Sequence, residues 1–267
     1  MNKNYFKDKI FLITGASSGI GLETTTVLLK NGAYVSAMVR NASAMDSLKK
    51  QYNEQLMIYK GDVSLQKDCE KFVTAAVKKW NSIYCLIHCA GVGVRSAARD
   101  IHHDVFRNIM DVNFYAMVYL FSAARKYLKK TNGHVIAVSS VHGIVALPFR
   151  SAYSAAKHAL NAYIKSVGFE ENSICFLCVN FGYVKTNFSN NAVSGHGEKF
   201  LKNKPAHLQN NAKGMNVTKA VKLMLNAMVK CKKEITPAGF KEKFSVFVYR
   251  YFPSLFNRLV QKYVKPD

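Results

Sequence analysis

The chain contains no long hydrophobic run. No stretch of about eighteen apolar residues occurs, whereas a helix that crosses a bilayer needs about twenty. The first residues, Met-Asn-Lys-Asn-Tyr-Phe-Lys-Asp-Lys, contain no apolar segment of the kind found in a secretory signal. The sequence also shows no internal repeat and no low-complexity tract, which excludes repeat architectures. These absences predict a cytoplasmic globular protein without a transmembrane helix.

Cysteines are few and lack the spacing of a metal site. Of the 6 cysteines, Cys85 and Cys89 lie on or just after one predicted strand, and Cys175 and Cys178 on another. The latter two have CxxC spacing, but residues three apart on a strand face opposite sides, and a redox CxxC needs a helix N-terminus. No second CxxC and no Cys/His pair completes a zinc site. We therefore expect buried, reduced thiols and no metal site.

Acidic residues are scarce as well. The chain has 16 Asp and Glu against 38 Lys and Arg, a formal net charge of +22. Such a balance raises the question of nucleic acid or an anionic membrane as a partner. The basic residues are scattered, and no RNA-recognition or zinc-finger signature organises them. We expect a solvated basic surface over most of the chain and no nucleic-acid partner.

The sequence does contain a regular alternation of strand and helix patterns. Its 267 residues, 49% of them hydrophobic, fit one large α/β domain. Strands are predicted at 9–14, 33–39, 56–60, 83–88, 134–139 and 173–180, and helices at 19–31, 42–53, 65–80, 102–130, 152–170 and 216–231. This order implies βαβ units and a doubly wound parallel sheet of the Rossmann type.

A glycine-rich turn joins the first predicted strand to the first predicted helix. Gly15, Gly19 and Gly21 are spaced as GxxxGxG, not as the GxGxxG of the general dinucleotide fingerprint. Glycines at such a turn let the backbone approach a pyrophosphate that sits on the helix N-terminus. Glycine-rich turns are common, so this element alone does not establish a nucleotide site.

Tyr153 and Lys157 lie one helical turn apart on the same face of a predicted helix. A tyrosine is a poor acid or base at neutral pH because its ordinary pKa is near 10. A nearby ammonium favours the phenolate and lowers that pKa. Ser140, from the end of a neighbouring strand, could steady the oxygen whose proton is exchanged. The arrangement suits interconversion of a carbonyl and an alcohol.

Together these elements resemble the short-chain dehydrogenase/reductase family over about residues 7–238. Thr14 to Gly21 is similar to the family's TGxxxGxG, and the segment from Gly182 to Thr186 to its PGxVxT. The resemblance implies a catalytic set of Asn113, Ser140, Tyr153 and Lys157. It implies a cofactor site built from Gly15, Ser17, Ser18, Gly19, Ile20, Gly21, Arg40, Asp62, Val63, Ala90, Gly91, Tyr153, Lys157, Val184 and Thr186.

The sequence departs from the family pattern at two positions. His88 stands where the NNAG motif usually has an amide, and Phe181 replaces the proline of PGxVxT. Neither position carries out the chemistry, so the departures bear on cofactor affinity. We interpret His88 as a hydrogen-bonded core histidine.

One position bears on the choice of cofactor. NAD sites place an acidic residue after the second strand, whereas NADP sites offer an arginine. Here that strand ends in Arg40-Asn41 without Asp or Glu. Arg40, with the hydroxyls of Ser17 and Ser43, would suit a 2′-phosphate. The sequence favours NADP over NAD, the other interpretation being that Arg40 is a solvated turn residue.

The resemblance implies hydride transfer between a nicotinamide and a substrate carbonyl. Tyr153 would give or take the proton, Ser140 would bind the reacting oxygen, Lys157 would bind the ribose and lower the tyrosine pKa, and Asn113 would hold a water. This predicts an NADPH-dependent carbonyl reductase, or the reverse alcohol dehydrogenase, acting on an apolar or lipid-like small molecule. The alternative is a non-catalytic dinucleotide-sensing or scaffold protein on the same fold.

Two segments bear on substrate and partners. The polar segment 183–213 is too long for a tight connection, so it is predicted to cover the substrate. Candidate pocket residues are Val94, Arg95, His142, Phe149, Phe188 and Leu201.

Beyond the catalytic domain, residues 1–240, the extension 241–267 carries a wide apolar helical stripe, broken at Pro253, with basic residues on its other faces. This extension could lie in a membrane interface, cover the active site or contact a second subunit. A homo-oligomer, dimer or tetramer, is expected.

Overall fold

The computed structural model describes residues 4–199 and 214–262. Its centre is a parallel sheet of seven strands. Strands β1 to β7 are Ile10–Thr14, Tyr34–Val39, Leu56–Lys60, Cys85–His88, His134–Ser140, Cys175–Phe181 and Glu234–Ile235. They pair in the order β3-β2-β1-β4-β5-β6-β7, every neighbouring pair being parallel. The predicted doubly wound α/β sheet and its six strands are confirmed. Strand β7 was not predicted, because it has only two residues and so shows no periodicity in the sequence.

Helices cover both faces of the sheet. Helices α1 to α9 are Gly19–Lys30, Asp46–Gln51, Gln66–Trp80, His103–Met110, Ala116–Lys130, Ser151–Glu170, Val217–Val229, Phe240–Tyr251 and Pro253–Gln261. The helix predicted over 102–130 is two helices joined by a π-helical turn at Asp111–Tyr115. The break predicted at Pro253 is confirmed, because proline at the first position starts α9. None of the described helices is long and apolar enough to cross a bilayer.

Strand β1 shows why the sheet lies between two helical layers. Its side chains alternate between the faces. Phe11 and Ile13 pack in the core that includes Leu28 of α1 and Met224 of α7, whereas Leu12 packs in the core under α3, α5 and α6. Both faces are buried, so the strand is a continuous apolar run without alternation, as parallel strands in α/β proteins are.

Two cysteines differ from the prediction. Cys175 and Cys231 form a disulfide that joins the start of β6 to the residues after α7, and Cys231 is exposed. The expectation of buried, reduced thiols holds for Cys69, Cys85 and Cys178, which are free and buried; Cys89 is free and half-buried. The pairing was missed because the two residues are 56 positions apart, and only the sheet brings them together.

The strand order reverses its direction of growth at β1, where β2 pairs on one side and β4 on the other. At such a switch point the loops after neighbouring strands leave in opposite directions and open a crevice at the carboxyl edge of the sheet. The glycine turn follows β1, and Ala90 and Gly91 follow β4. The motif residues are therefore brought to one edge.

Candidate active site

The glycine turn is packed against the end of β4. Gly15 has φ +64°, and a Cβ there would lie 2.7 Å from the backbone nitrogen of Ala90. A Cβ at Gly21 would collide with the carbonyl of Gly15. Both positions therefore require glycine, because the backbone itself is the neighbouring surface. Without side chains at these two glycines the turn is shallow, and a phosphate group can lie against its backbone nitrogens.

The other expected cofactor residues surround this turn. Ser18 is the extended residue at the N-cap of α1, and its side chain is exposed. A Cβ at Gly19 would touch the Thr186 methyl group at 3.2 Å, so the segment after β6 closes onto the start of α1. Val184 is buried beside it. Ser17 and Ile20 lie in the same turn, half-buried.

His88 is a structural residue of this edge. It is fully buried, with Nδ1 2.9 Å from the Thr14 hydroxyl and Nε2 3.1 Å from the Val112 carbonyl. Burial, and secondarily the charge of Lys157, lowers its pKa to about 3. The imidazole is thus neutral, with Nε2–H donating to Val112 and Nδ1 accepting from Thr14. The interpretation of His88 as a hydrogen-bonded core histidine is confirmed.

Asp62 and Val63 follow β3 at the same edge. Asp62 Oδ1 accepts hydrogen bonds from the backbone nitrogen and the hydroxyl of Ser64, at 2.9 and 2.8 Å. This turn orients the half-buried carboxylate, and its role in binding a cofactor stays a prediction. Val63 is buried beneath it and contributes to the core under α3.

Arg40 follows β2 and is exposed. The next residue, Asn41, accepts hydrogen bonds at its side-chain oxygen from the backbone nitrogen and hydroxyl of Ser43, at 3.2 and 2.8 Å. The Ser43 nitrogen and hydroxyl are therefore both bonded to Asn41, in a turn that changes the direction of the chain after Arg40. Arg40 thus lies at the carboxyl edge of the sheet, after a strand that pairs with β1 on the side opposite β4.

Tyr153 is in the first turn of α6 and is 7% exposed. Burial raises the pKa of Tyr153 to about 12, and a hydrogen bond with the Ser140 side chain and the charge of Arg150 act in the opposite direction. This hydrogen bond places the Ser140 side chain beside the phenol, and the predicted role of Ser140 in binding the reacting oxygen stays a prediction. Arg150 was missed as a member of the site, although its position three residues before Tyr153, one helical turn away, was a signal that could have found it.

Lys157 is 3% exposed and donates to the carbonyl oxygen of Val138 at 3.0 Å. Burial lowers its pKa to about 8, which the neighbouring thiols of Cys178 and Cys89 partly offset. Its Nζ is 5.8 Å from the centroid of the Tyr153 ring. In the protein alone, the groups that lower the tyrosine pKa are Ser140 and Arg150, so the lowering by Lys157 stays a prediction.

Asn113 is positioned by the π-helical turn between α4 and α5. Its Nδ2 donates to the carbonyls of Val92 and Ile109 at 3.0 and 2.9 Å. Its Oδ1 is buried and has no hydrogen-bond partner within the described residues. A Cβ on Gly91 would lie 2.9 Å from that oxygen and 3.8 Å from Lys157 Nζ. An unpaired buried acceptor close to a buried ammonium fits a small hydrogen-bonding molecule between them.

Two rings lie beside the Tyr153 ring. The rings of His142 and Phe188 each lie 5.8 Å from the tyrosine ring, between centroids. Phe188 belongs to the segment that follows β6, which returns to the site through a bridge between Val193 and Val94. The structure thus places His142, Phe188 and Val94 close to Tyr153, and their role as pocket residues stays a prediction.

Other predicted pocket residues are placed at the rim or outside the described chain. Phe149 is exposed and has φ +62°, a strained conformation for a bulky residue, and its carbonyl accepts from Ser96. Arg95 is half-buried in the neighbouring segment, where its backbone nitrogen donates to Val193. Leu201, and the part of the segment 183–213 beyond residue 199, lie outside the described residues.

The comparisons with known proteins agree with this geometry. The short chain dehydrogenase family matches residues 9–197. The chain is 31% identical over 273 residues to dehydrogenase/reductase SDR family member 7B of Xenopus laevis, covering 98% of this chain and 83% of that one.

Two solved structures share the fold. A short chain dehydrogenase from Burkholderia cenocepacia in complex with NADP superposes with TM-score 0.79 at 21% identity, over 98% of this chain and 99% of that one. A short chain dehydrogenase/reductase from Burkholderia phymatum in complex with NAD superposes with TM-score 0.81 at 16% identity, over 94% and 95%. With the family match extending over residues 9–197, which include six of the seven strands and the four candidate catalytic residues, this chain belongs to the short-chain dehydrogenase family.

Proposed function

We propose that the protein is an oxidoreductase that transfers a hydride between a nicotinamide cofactor, NADPH in preference to NADH, and a carbonyl or secondary alcohol. The observation that carries the proposal is the convergence of Ser140, Tyr153, Lys157 and Asn113 beside the glycine turn. Burial of a tyrosine hydroxyl and a lysine ammonium in one small volume costs folding free energy, and groups buried at such a cost are commonly functional. Their perturbed pKa values are typical of an active site.

The chain's own residues supply the proton and the binding groups. A nicotinamide cofactor bound at this edge supplies or accepts the hydride. Ser140 donates a hydrogen bond to the substrate oxygen, and Tyr153 donates its phenolic proton to that oxygen in the reductive direction. Lys157 offers donors to a ribose hydroxyl, and its charge favours the phenolate left behind. The unpaired Oδ1 of Asn113 accepts from a water that links Lys157 to solvent.

The preference for NADP rests on Arg40. The solved relatives bind NADP in one case and NAD in the other, so the fold alone does not distinguish them. No carboxylate follows β2 to repel a 2′-phosphate, and the exposed guanidinium offers it two parallel donors. Ser17 in the glycine turn adds a hydroxyl donor.

An apolar or lipid-like substrate is supported by the lining of the site. Phe188 faces the Tyr153 ring, and Val94 and Val193 belong to the same apolar cluster as Tyr153. Segment 183–213 would then act as a cover that excludes water from the reacting oxygen.

The test is an NADPH-oxidation screen against carbonyls that span steroids, retinoids, acyl-ketones and small sugars. Turnover of at least one apolar carbonyl is expected from the wild type. Tyr153→Phe should keep cofactor binding and lose turnover by about a hundredfold to ten-thousandfold. Tyr163→Phe, on the same helix but away from the site, is the matched control and should keep full activity. Retained activity in Tyr153→Phe would mean that the proton comes from another group.

The alternative, a dinucleotide-sensing or scaffold protein without turnover, predicts a different result. It requires cofactor binding with no oxidation across the whole panel. The four assembled side chains argue against it, since a sensor has no chemical need for the tyrosine and lysine.

We also propose that α8 and α9 contact an anionic membrane surface. One face of this helix pair is turned inward, where Val248 and Phe256 pack against Val145 in the segment after Ser140. The outer face carries seven apolar side chains that are 42% to 84% exposed, namely Phe240, Phe244, Phe247, Tyr251, Phe252, Leu255 and Leu259. Between residues 240 and 262 the chain has five basic residues and one acidic residue, Glu242. Exposed aromatic groups with a basic surround are typical of helices that lie in a lipid interface.

Vesicle co-sedimentation tests this contact. The full chain should bind vesicles that contain phosphatidylserine more strongly than vesicles of phosphatidylcholine alone. Replacing Phe244 and Leu255 with aspartate should abolish binding, whereas Phe169→Asp should not, because Phe169 is 75% exposed on α6 and outside the proposed surface. Equal binding by all three proteins would refute membrane contact through residues 241–267.

The remaining expectations stay proposals. They are a catalytic unit of residues 1–240 with 241–267 as an extension, a cytoplasmic location with peripheral membrane association, and a dimer or tetramer. Sedimentation equilibrium of the full chain would measure the oligomeric state, and a monomer would contradict that proposal.

A further inference from the structure

A cluster of three metal-ligating side chains lies at the sheet edge opposite the active site. His134 is the first residue of β5, Cys175 is the first residue of β6, and the two are register partners in the parallel ladder. Cys231 follows the end of α7 and precedes β7. A ring nitrogen of His134 and the two sulfur atoms all lie within 4.8 Å of one another. Strand β5 separates this cluster from Ser140 by about 20 Å, at about 3.3 Å per residue.

We propose that His134, Cys175 and Cys231, with both cysteines reduced, form a binding site for Zn²⁺. Two thiolates and an imidazole are the ligands that zinc prefers, and three protein ligands leave one tetrahedral position for water. Binding involves no change of oxidation state: each thiol gives its proton to solvent, and two Zn–S bonds form. The Cys175–Cys231 disulfide uses the same two sulfur atoms, so disulfide and metal exclude each other.

The backbone holds all three ligands in place without a metal. The nitrogen of Cys175 donates to the carbonyl of Gly133 at 2.9 Å, next to His134. Cys231 has φ +48°, and its nitrogen donates to the carbonyl of Met228 at 2.8 Å, which closes the end of α7. The Cα atoms of the two cysteines are 5.7 Å apart. The ligands are therefore preorganised, and the ordering cost of binding is small.

A hydrogen-bonded chain behind the imidazole supports the assignment. His134 Nε2 lies 3.0 Å from the hydroxyl of Tyr84, which lies 2.7 Å from the hydroxyl of Tyr5. When Nε2 donates to Tyr84, the lone pair of Nδ1 is left for a metal. Metal-ligating histidines are commonly oriented in this way by a group behind the ring. Cys231 is exposed, which gives an ion a path to the site.

Cobalt titration of the full-length protein tests the site. Protein reduced with a phosphine and freed of metal should develop a thiolate-to-cobalt charge-transfer absorption that saturates at one Co²⁺ per chain, and Zn²⁺ should abolish it. Cys231→Ser should lose the absorption, and Cys178→Ser, which changes a cysteine of the same strand outside the cluster, should keep it. Protein oxidised to the disulfide beforehand should not bind.

A second variant separates a built site from adventitious thiol binding. Tyr84→Phe removes only the hydroxyl behind His134 and should weaken cobalt binding by about tenfold to a hundredfold. Circular dichroism of each variant checks that it is folded, and none of these measurements uses the oxidoreductase activity. No absorption in the reduced wild type, or equal binding by Cys231→Ser, would overturn the proposal.

Discussion

Lys157 shows how burial sets the chemistry of a single residue. Its ammonium group is removed from water and donates a hydrogen bond to the carbonyl of Val138. Desolvation disfavours the charged form, and the pKa of Lys157 falls to about 8. Tyr153, buried a helical turn away, shifts in the other direction, to a pKa of about 12. Near neutral pH the pair therefore holds a protonated lysine and a protonated tyrosine, which is the state that the proposed reduction needs.

The pH dependence of reduction follows from these values. The charged form of Lys157 is present below pH 8 and is lost as the pH rises through about 8. We expect kcat/KM for carbonyl reduction to be level between about pH 6 and 7 and to fall above about pH 8. Lys157→Arg keeps its charge over this range. The variant should lose activity because the forked guanidinium fits the site poorly, but the activity that remains should not fall near pH 8. If kcat/KM of this variant still falls near pH 8, the titrating group is not Lys157.

Cofactor choice is predicted at a second residue, Arg40. Arg40→Asp should weaken NADPH binding by about tenfold to a hundredfold, because a charge-assisted hydrogen bond to the 2′-phosphate is replaced by repulsion. NADH binding should be unchanged or improved. Fluorescence titration with both cofactors measures the ratio. Lys30→Asp makes the same change of charge at the C-terminal end of α1, the end away from the glycine turn. It should not alter the ratio of the two affinities. Unchanged NADPH affinity in Arg40→Asp would contradict the assignment of Arg40 as the group that binds the 2′-phosphate.

At the scale of elements, helix α1 and the π-helical turn do the positioning. The start of α1 is pressed against β4 so closely that Gly15 and Gly21 have no room for a Cβ. The π-helical turn at Asp111–Tyr115 inserts a residue into the helical ladder and directs Asn113 toward Lys157. Such turns are rare and are frequently found at functional sites.

The tightness of α1 gives a prediction for a glycine. Gly21→Ala should destabilise the fold by about 1–3 kcal/mol through overpacking and should weaken cofactor binding, because the added Cβ displaces the carbonyl of Gly15. Gly168→Ala is the control: it lies in the last turns of α6, and its Cβ would meet Phe176 at an ordinary 3.4 Å. That change should be neutral or stabilising by up to about 1 kcal/mol. Urea unfolding and cofactor titration measure both effects, and equal behaviour of the two variants would contradict the packing argument.

At the scale of the whole molecule, neutral buried histidines couple stability to pH. Burial lowers the pKa of His88 to about 3 and that of His142 to about 4, whereas an unfolded histidine has a pKa of about 6.5. Between these values the unfolded chain binds protons that the folded chain does not. Stability is therefore full above about pH 6.5 and is lost as the pH falls toward 4.

The free energy of unfolding should decrease by about 1.4 kcal/mol per pH unit for each of these histidines below pH 6. Urea unfolding at a series of pH values measures the slope. His88→Asn retains a donor and an acceptor for Thr14 and Val112 but cannot titrate, so its slope should be smaller than that of the wild type. An identical slope in this variant would show that His88 does not contribute.

Local patterns were sufficient for the sheet and for much of the site. The six long strands are apolar runs of the right length, and glycine turns and strand ends place Gly15, Asp62, Ala90 and Ser140 at one edge. The sequence alone could not reveal the two-residue β7 or the π-helical turn, because neither has a period of its own. Arg150 was missed because an arginine before a helix is more often solvated.

The sequence by itself determined the fold class, because the order of strands and helices depends on periodicity along the chain; the catalytic set stays a prediction that the family resemblance implies. The tertiary structure decided what depends on distance between remote segments. It placed Ser140, Arg150 and Lys157 around Tyr153, set the direction of their pKa shifts by burial, and brought Cys231 to Cys175 and His134. Pairing of strands in register carries residues far apart in the chain to within a few ångströms, and no local pattern encodes that approach.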